Sequence, residues 1–412
     1  MTYITKDQPA FKKANLALFS GSFITFMILY SVQTLFPLFS EEFDVTPAVS
    51  SLSLSVTTGF LAVTMLFASL MSDSFGRKRI MSISLTISAL LCILAAFSPN
   101  FSTLLAIRIL QGIVLAGFPA IAMTYVSEEF HPKHLGIAMG IYVSGTTVGG
   151  LAGRMATGVI TSYFSWQTAL LSIGLISLLL SLWFWRALPA PKNSAPQKRN
   201  ENSAKTPLIK SFAHNLRNPR LLCLYGISFF LMGGFVTIYN YLGYRLMAPP
   251  YFLSQAVIGS LFIVYLVGTF SSTFMGKMSD TFGKPKTMPL SILLMLSGVL
   301  LTLNDSLILI ISGLAVLTFG FFGSHSIASN WVGELASDYR AQAASLYLLA
   351  YYLGSSIVGT SGGIVWKHFD WGGIVTMTGL LTTASLGLVT IIVVKTRKKN
   401  RLHQENSAGA GR

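Results

Sequence analysis

Long apolar stretches separated by short polar breaks follow one another along almost the whole chain. No charged residue occurs in the 28 positions from Val45 to Ser72, or in the 28 positions from Ile80 to Ile107. The hydrocarbon core of a bilayer is about 30 Å thick, and about 20 apolar residues of helix cross it. The polar breaks fall near residues 40–47, 73–79, 98–101, 128–135, 162–166, 186–220, 246–254, 277–287, 304–305, 334–340 and 367–371.

These eleven breaks divide the chain into twelve segments, and most of them are about as long as a helix that crosses a membrane. Membrane β-strands would show an alternation of apolar and polar residues over about ten positions, and the segments do not show it. The composition agrees, because only 10% of the 412 residues are charged, whereas soluble domains contain about a quarter. The sequence predicts an all-α membrane protein with twelve transmembrane helices.

The two cysteines, Cys92 and Cys223, both fall inside apolar segments. Two thiols at that depth do not make a disulfide framework or a thiolate metal site. We expect no metal and no cofactor.

The net charge of +15 is concentrated on alternate loops. Lysine and arginine accumulate on the cytoplasmic side of membrane proteins, so both termini and the long middle loop are expected in the cytoplasm, next to anionic lipid headgroups. Nucleic acid is the disfavoured partner. The basic side contains Lys6, Lys12, Lys13, Arg77, Lys78, Arg79, Lys133, the seven bases between Lys192 and Arg220, Lys277, Lys284, Lys286, Arg340 and the tail from Lys395 to Arg401.

The two halves of the chain repeat each other. "SDSFGRKRIM" around Asp73 recurs as "SDTFGKPKTM" around Asp280, and "YVSGTTVGGLAG" from Tyr142 recurs as "YYLGSSIVGTSGG" from Tyr351. A polar stretch rich in Pro, Asn, Ser and Lys separates the halves and is typical of a solvated linker. We expect a cytoplasmic tail at 1–13, six-helix bundles at 14–188 and 219–395 related by pseudo-twofold symmetry, a linker at 189–218 and a basic cytoplasmic tail at 396–412.

Three motifs resemble those of the major facilitator superfamily, in order and spacing. "SLMSDSFGRKR" resembles its signature loop between helices two and three, although Ser69 replaces the first glycine. "RILQG" from Arg108 resembles its helix-four motif, and "GTTVGG" from Gly145 resembles the helix-five motif of its antiporters, with Thr146 in place of proline. Phrases such as "YVSEEF" and "GGLAGR" resemble the drug:proton antiporter branch, and within it the YnfM-type bacterial inner-membrane transporters.

The resemblance implies that the signature loops control gating. An aspartate at a helix end can accept hydrogen bonds from a neighbouring helix and from Arg77, which would hold the cytoplasmic side closed; the glycine permits a tight turn. The alternative is that the basic residues only set the topology. The residues matching the motif are Asp73, Gly76, Arg77 and Lys78 in the first copy, and Gly276, Asp280, Gly283 and Lys284 in the second.

Glycines recur every four residues on helix five and form a smooth ridge along one face. Such a ridge lets two helices approach closely in a membrane, so packing alone could explain it. The resemblance implies a further role in bending between states and in preventing leak. The motif residues are Gly145, Gly149, Gly150 and Gly153.

Ionisable residues inside predicted spans are bases rather than acids. A charge in the bilayer costs at least about 2.5–3.5 kcal/mol and therefore normally faces a cavity or a partner. Arg108, with Gln111 on its face, lies in the stretch that resembles the family's helix-four motif, and the resemblance implies a role for this arginine in proton coupling. Hydrogen bonding of Arg108 to helix carbonyls is the alternative. Arg154 is either a cavity residue or extends outward to the membrane surface. His325, which shares a face with Ser329, is either the proton carrier or a neutral structural residue.

Two further groups of polar residues lie on one helical face among apolar neighbours, as in a site for an amphiphilic ligand. Tyr30, Gln33 and Thr34 align on helix one, and Asn240 and Tyr244 align on helix seven. Tyr244 could instead belong to the aromatic belt at the membrane surface.

The sequence favours a secondary transporter of the inner membrane, a proton-coupled exporter of small neutral, amphiphilic or anionic compounds that acts as a monomer. The halves would rock around a site near the membrane midplane. Uptake or facilitated diffusion of a metabolite is the first alternative, and a membrane sensor that transports nothing is the second. No phosphate-binding loop of the G-x-x-x-x-G-K-[ST] type occurs, which disfavours an ATP-driven pump, and no nucleophile–base arrangement indicates an enzyme.

Overall fold

A computed structural model of the chain describes residues 3–191, 208–336 and 339–409, with side chains described except at 68–75, 208–209 and 396–409. The described residues are helical, apart from turns and one isolated bridge between Ile4 and Phe130. Eleven helical stretches in this part of the chain are long and apolar enough to cross a membrane.

The first half consists of α1 (Pro9–Tyr30), α2 (Phe36–Glu42), α3 (Pro47–Phe75), α4 (Arg77–Ala95), α5 (Phe101–Leu115), α6 (Pro119–Glu129), α7 (Leu135–Tyr163) and α8 (Trp166–Ala187). The second half consists of α9 (Leu208–Leu216), α10 (Pro219–Met247), α11 (Gln255–Leu261), α12 (Tyr265–Phe282), α13 (Lys284–Leu301), α14 (Leu307–Leu335) and α15 (Arg340–Gly409).

The prediction of an all-helical fold with about twelve spans is confirmed. The eleventh stretch, Arg340–Lys395, has 56 residues. At about 1.5 Å per residue it is far longer than one bilayer crossing. The backbone of Asp370 leaves the helical region there, with φ 50° and ψ −149°. Two spans therefore meet at Asp370, which lies in the predicted break at 367–371.

Short interruptions inside three spans are not apparent from the hydropathy pattern. A 3₁₀ turn at Gln33–Leu35 separates α1 from α2, residues 116–118 separate α5 from α6, and a 3₁₀ turn at Phe262–Val264 separates α11 from α12. Pro37 and Pro119 each lie in the first turn of the following helix. A proline is tolerated in a first turn, where its missing N–H has no partner to lose, but it would break the helix if the helix were continuous there. The predicted linker also differs, because its last part forms α9.

The chain divides into two compact units. The first comprises Met1–Lys205, Tyr239–Tyr265 and Gly359–His368, and the second comprises Thr206–Ile238, Leu266–Val358 and Phe369–Arg412. The first unit therefore contains parts of α10, α11 and α15 in addition to the helices of the first half. The residues discussed below are described within their own unit.

The glycine ridge of α7 packs directly against the backbone of α1. A side chain at Gly149 would collide with the backbone of Phe23, and one at Gly153 with the backbone of Met27. The four-residue spacing of the glycines matches that of their partners on α1, so the two helix backbones lie in contact over several turns.

The second unit repeats this contact with one exchange. Gly354 on α15 packs against the backbone of Phe229 on α10, as Gly145 packs against Phe19. One turn further, the small residue is Gly233 on α10, and it faces the side chain of Val358 on α15. The glycine of the second pair thus lies on the opposite helix from Gly149.

Gly149→Val should lower the melting temperature of the purified protein and the fraction that elutes as a single species in detergent. The added side chain has no room beside the backbone of Phe23, and overpacking a tight contact typically costs about 1–3 kcal/mol. Gly140→Val on the same helix is the matched control, because open space surrounds a side chain there. Equal melting temperatures for the two variants would contradict the ridge packing.

Candidate transport site

A chain of buried polar side chains connects α7, the turn after α1, and α10 within the first unit. Arg154 Nε donates to Gln33 Oε1 at 2.7 Å, and Gln33 Nε2 donates to Asn240 Oδ1 at 2.7 Å. Arg154 Nη1 also donates to the Gly150 carbonyl at 2.8 Å. Each of the three side chains is 2% exposed. Residues far apart in the sequence therefore form one hydrogen-bonded row.

Aromatic rings surround the Arg154 guanidinium. Its Cζ lies 3.9 Å from the ring centre of Tyr30, 4.6 Å from that of Phe262 and 4.8 Å from that of Tyr265. A desolvated cation–π contact contributes about 2 kcal/mol, and these contacts offset part of the cost of burying the charge. Arg154 therefore does not extend to the membrane surface, which was one of its two predicted placements.

Two polar atoms of this region have no hydrogen-bond partner among the described residues, namely Thr34 Oγ1 and Asn240 Nδ2. Tyr244 is occupied, because its hydroxyl contacts Ser40 Oγ at 2.6 Å and donates to the Phe36 carbonyl at 2.9 Å. The structure thus brings together Tyr30, Gln33, Arg154 and Asn240, while Tyr244 forms a separate contact with α2.

Arg108 is 1% exposed and is held by backbone carbonyls. Nε donates to Ser53 O at 2.7 Å, Nη2 donates to Leu29 O at 2.8 Å, and Nη1 donates to Ile28 O at 3.2 Å and to Gln111 Oε1 at 2.8 Å. This is the carbonyl-bonded arrangement considered as the alternative for Arg108. The guanidinium connects α1, α3 and α5, and a role in proton coupling stays a prediction.

His325 lies in the second unit in an aromatic cluster. Its Nδ1 is 2.9 Å from the Tyr347 hydroxyl, and the rings of Phe321 and Tyr351 lie 6.2 and 4.8 Å away. A cavity of about 10 Å³ adjoins His325, which is room for one water molecule.

The polar wall of that cavity includes Ser228 and Ser324, and Ser324 Oγ lacks a hydrogen-bond partner within the described part of the chain. Ser329, expected to act with His325, is exposed and donates to the Ser326 carbonyl instead. The structure does not bring His325 and Ser329 into one site.

The two signature loops share one backbone conformation. Gly76 and Gly283 have φ values of 82° and 85°, a region that only glycine adopts readily. Each glycine ends one helix and begins the next, so α3 turns directly into α4 and α12 into α13.

The first base after each of these glycines forms an ion pair with a glutamate. Arg77 Nη1 pairs with Glu128 Oε2, and Lys284 Nζ lies 2.5 Å from Glu334 Oε1. Lys78 is half-buried beside the first pair, and Gly276 leaves ordinary packing space beside Ser326. The predicted acceptor of the first loop, Asp73, has a side chain outside the described residues.

In the second loop Asp280 is exposed and Lys284 pairs with Glu334. Glu128 and Glu334 were therefore not predicted from the sequence as partners, although both lie close to the ends of apolar segments. Their separation of 206 residues nearly equals the repeat offset of 207, and this spacing could have indicated matching roles. The rings of Phe262 and Tyr265 were missed as well.

The model of the Major Facilitator Superfamily matches residues 18–252 and 238–410. The chain belongs to this family. It is 46% identical over 388 residues to the uncharacterized MFS-type transporter YybF of Bacillus subtilis, with 94% of this chain and 95% of YybF covered. It is 41% identical over 401 residues to the inner membrane transport protein YnfM of Escherichia coli, with 97% and 94% covered.

Solved structures show the same major facilitator fold. A bacterial homolog of the human lysosomal transporter Spinster superimposes with a TM-score of 0.72 at 17% identity, covering 94% of this chain and 96% of that one. A mutant form of the nucleoside transporter NupG superimposes with a TM-score of 0.74 at 18% identity, covering 92% and 99%. The protein is a multi-pass membrane transporter of the major facilitator superfamily, whose members bind small-molecule substrates within the membrane.

Arg108→Leu should prevent most of the protein from reaching its folded state. The substitution removes three hydrogen bonds from the guanidinium to buried carbonyls, and hydrogen bonds of charged groups contribute about 1.5–3 kcal/mol each. Leu110→Ala on the lipid-facing side of α5, where Leu110 is 51% exposed, is the control. The measurement is the yield and melting temperature of detergent-purified protein. Normal melting of Arg108→Leu would show that the carbonyl contacts are dispensable.

Proposed function

We propose that this transporter exports small neutral, amphiphilic or anionic organic compounds in exchange for protons, by rocking of its two six-helix halves. The observation that carries the proposal is the kind of ionisable group inside its spans. Arg108, Arg154 and His325 lie within membrane helices, whereas the acidic residues of the described helices lie within a few residues of a helix end or break. In the described part of these spans, a cationic substrate would meet bases and no carboxylate.

His325 is the proposed proton carrier. An imidazole can take up and release a proton, and this one has a hydroxyl partner in Tyr347 and a water-sized cavity beside it. The polar groups around it are Tyr347, Tyr351, Ser228 and Ser324, and among the described residues no acidic side chain lines the cavity. Protonation would give the imidazole a second N–H donor. We propose that α14 and α15 rearrange to accept its hydrogen bond, which links proton binding to movement of these helices.

The ion pairs of the signature loops are proposed to stabilise the state in which the cytoplasmic side is closed. Each pair connects the start of one span to the end of the following span, Arg77 on α4 to Glu128 on α6 and Lys284 on α13 to Glu334 on α14. With both termini in the cytoplasm, the basic loops also contact anionic lipid headgroups. We propose that a monomer carries out transport.

The direct test uses the purified protein in liposomes with an imposed proton gradient and a panel of neutral, anionic and cationic organic compounds. Proton flux should accompany the movement of neutral or anionic compounds, and reversal of the gradient should reverse it. Accumulation of a compound that ignores the gradient would exclude antiport. Everted vesicles then separate export from uptake.

His325→Gln should abolish the proton flux that accompanies transport while exchange of the compound across the membrane continues. Glutamine can still hydrogen-bond to Tyr347 but does not titrate near neutral pH. The control is His214→Gln, at an exposed histidine on α9. The measurement is the ratio of proton flux to compound flux, and an unchanged ratio would remove His325 as the carrier.

Glu128→Gln and Glu334→Gln should each reduce net transport about fivefold, because a partly exposed ion pair contributes up to about 1 kcal/mol. The exchanged pair Arg77→Glu with Glu128→Arg should recover most of the loss. Glu41→Gln at an exposed helix end is the control. If the exchanged pair is as impaired as the single variants although correctly inserted, the ion pair is not the cause.

A further inference from the structure

We infer that Arg154, Gln33 and Asn240 form a binding site for the acidic group of an organic monoanion with an aromatic or apolar body, such as a carboxylate. The inference deepens the proposed function, on which it rests for the route by which a ligand enters. The inference is based on the direction of the hydrogen bonds in this row and on the positive charge of Arg154, which these hydrogen bonds do not neutralise.

Each amide oxygen in the row of three side chains already accepts a hydrogen bond from its neighbour in the row. Gln33 Oε1 accepts from Arg154, and Asn240 Oδ1 accepts from Gln33. What is left over is a donor, Asn240 Nδ2, which is buried and has no partner in the part of the chain that the structure describes. Thr34 Oγ1 is also buried and unpartnered nearby in the sequence. A site with spare donors favours a ligand rich in acceptors.

The charge of Arg154 makes the electrostatic potential of this site positive. Among the described residues no carboxylate lies within ion-pair distance of the guanidinium, whose contacts are Gln33 Oε1, the Gly150 carbonyl and three aromatic rings. The amides of Gln33 and Asn240 are aligned in the same sense, so their dipoles extend the positive potential of Arg154 towards Asn240 Nδ2. An anion would satisfy both the unpaired charge and the unpaired donor.

The surrounding rings specify the rest of the ligand. Tyr30, Phe262 and Tyr265 present aromatic surface at the guanidinium, and Tyr239 packs edge-on against Tyr265 at 4.8 Å. Rings of this kind accommodate an apolar or aromatic body beside the acidic group. Because Arg154 and Asn240 are each 2% exposed, the ligand reaches them only when the surrounding helices separate, as alternating access requires.

The test measures binding without transport. The full-length protein in detergent is titrated at neutral pH with benzoate, with benzamide as the neutral analogue and benzylamine as the cation, by thermal shift and calorimetry. Benzoate should raise the melting temperature, and so should benzenesulfonate, which is titrated as a second monoanion. Benzamide and benzylamine should not raise it. Equal binding of benzamide, or binding of benzylamine alone, would overturn the inference.

Two variants identify the residues. Arg154→Gln should weaken benzoate binding about tenfold to a hundredfold through loss of a charge-assisted contact. Asn240→Asp retains the shape and the acceptor for Gln33 but replaces the spare donor with a negative charge, and it should abolish binding even if Arg154→Gln does not fold. The control is Arg245→Gln, which removes an arginine over a different ring, Tyr251. Unchanged benzoate binding in Asn240→Asp would overturn the site.

The outcomes for this site and for the proposed function are separate. Benzoate binding without proton-linked flux would leave the anion site in place and remove the coupling. Proton-linked flux of neutral compounds, unaffected by Arg154→Gln and without benzoate binding, would remove the anion site and leave the proposed function.

Discussion

A polar group inside a bilayer has no water to bond with, and the other features of this protein follow from how it meets that constraint. Serine and threonine hydroxyls donate to carbonyls of the preceding helical turn, as Ser22 does to Leu18 and Thr382 to Thr378. Arg108 extends the same solution between helices by donating to carbonyls of α1 and α3. Arg154 differs, because amides and aromatic rings surround it in place of carbonyls from several helices. A group that is fully satisfied supports the fold, whereas one left partly unsatisfied is available to a ligand.

The internal duplication has preserved the loop geometry more closely than the loop chemistry. Gly76 and Gly283 share a backbone conformation that differs by only a few degrees in φ. The base that follows differs, arginine in one copy and lysine in the other, but each pairs with a glutamate at the end of a following helix. Lysine cannot form the two parallel hydrogen bonds that arginine can. The two pairs therefore occupy equivalent positions in the repeat, and the arginine pair can fix the geometry of its contact more strictly than the lysine pair can.

Hydropathy predicted the spans because lipid imposes a minimum apolar length on each helix, and the break at Asp370 lies where the polar residues between 367 and 371 placed it. The 3₁₀ turns at Gln33–Leu35 and Phe262–Val264 were not predictable in this way, since neither contains a charged residue and apolar sequence continues on both sides of each. The alignment of polar residues on helical faces indicated Gln33 and Asn240, and a charge inside a span indicated Arg154 with its placement left open; all three are buried. Their connection was not visible, because hydrogen bonds between residues 121 and 207 positions apart depend on tertiary packing. The pairing of Arg77 with Glu128 was not predicted for the same reason. The repeat offset indicated only that Glu128 and Glu334 occupy matching positions.

The exchange of small and large residues between Gly149–Phe23 and Gly233–Val358 bears on how the two halves could be recombined. Each half contains a matched pair, since the backbone of Phe23 lies against Gly149 and the side chain of Val358 lies against Gly233. A hybrid molecule assembled from intact halves keeps both pairs complementary. Transplanting α1 alone into the position of α10 would instead put Phe23 in the place of Gly233, where the side chain of Val358 leaves no room for a Cβ. The unit that can be shuffled without loss of fit is consequently the helix pair rather than the single helix.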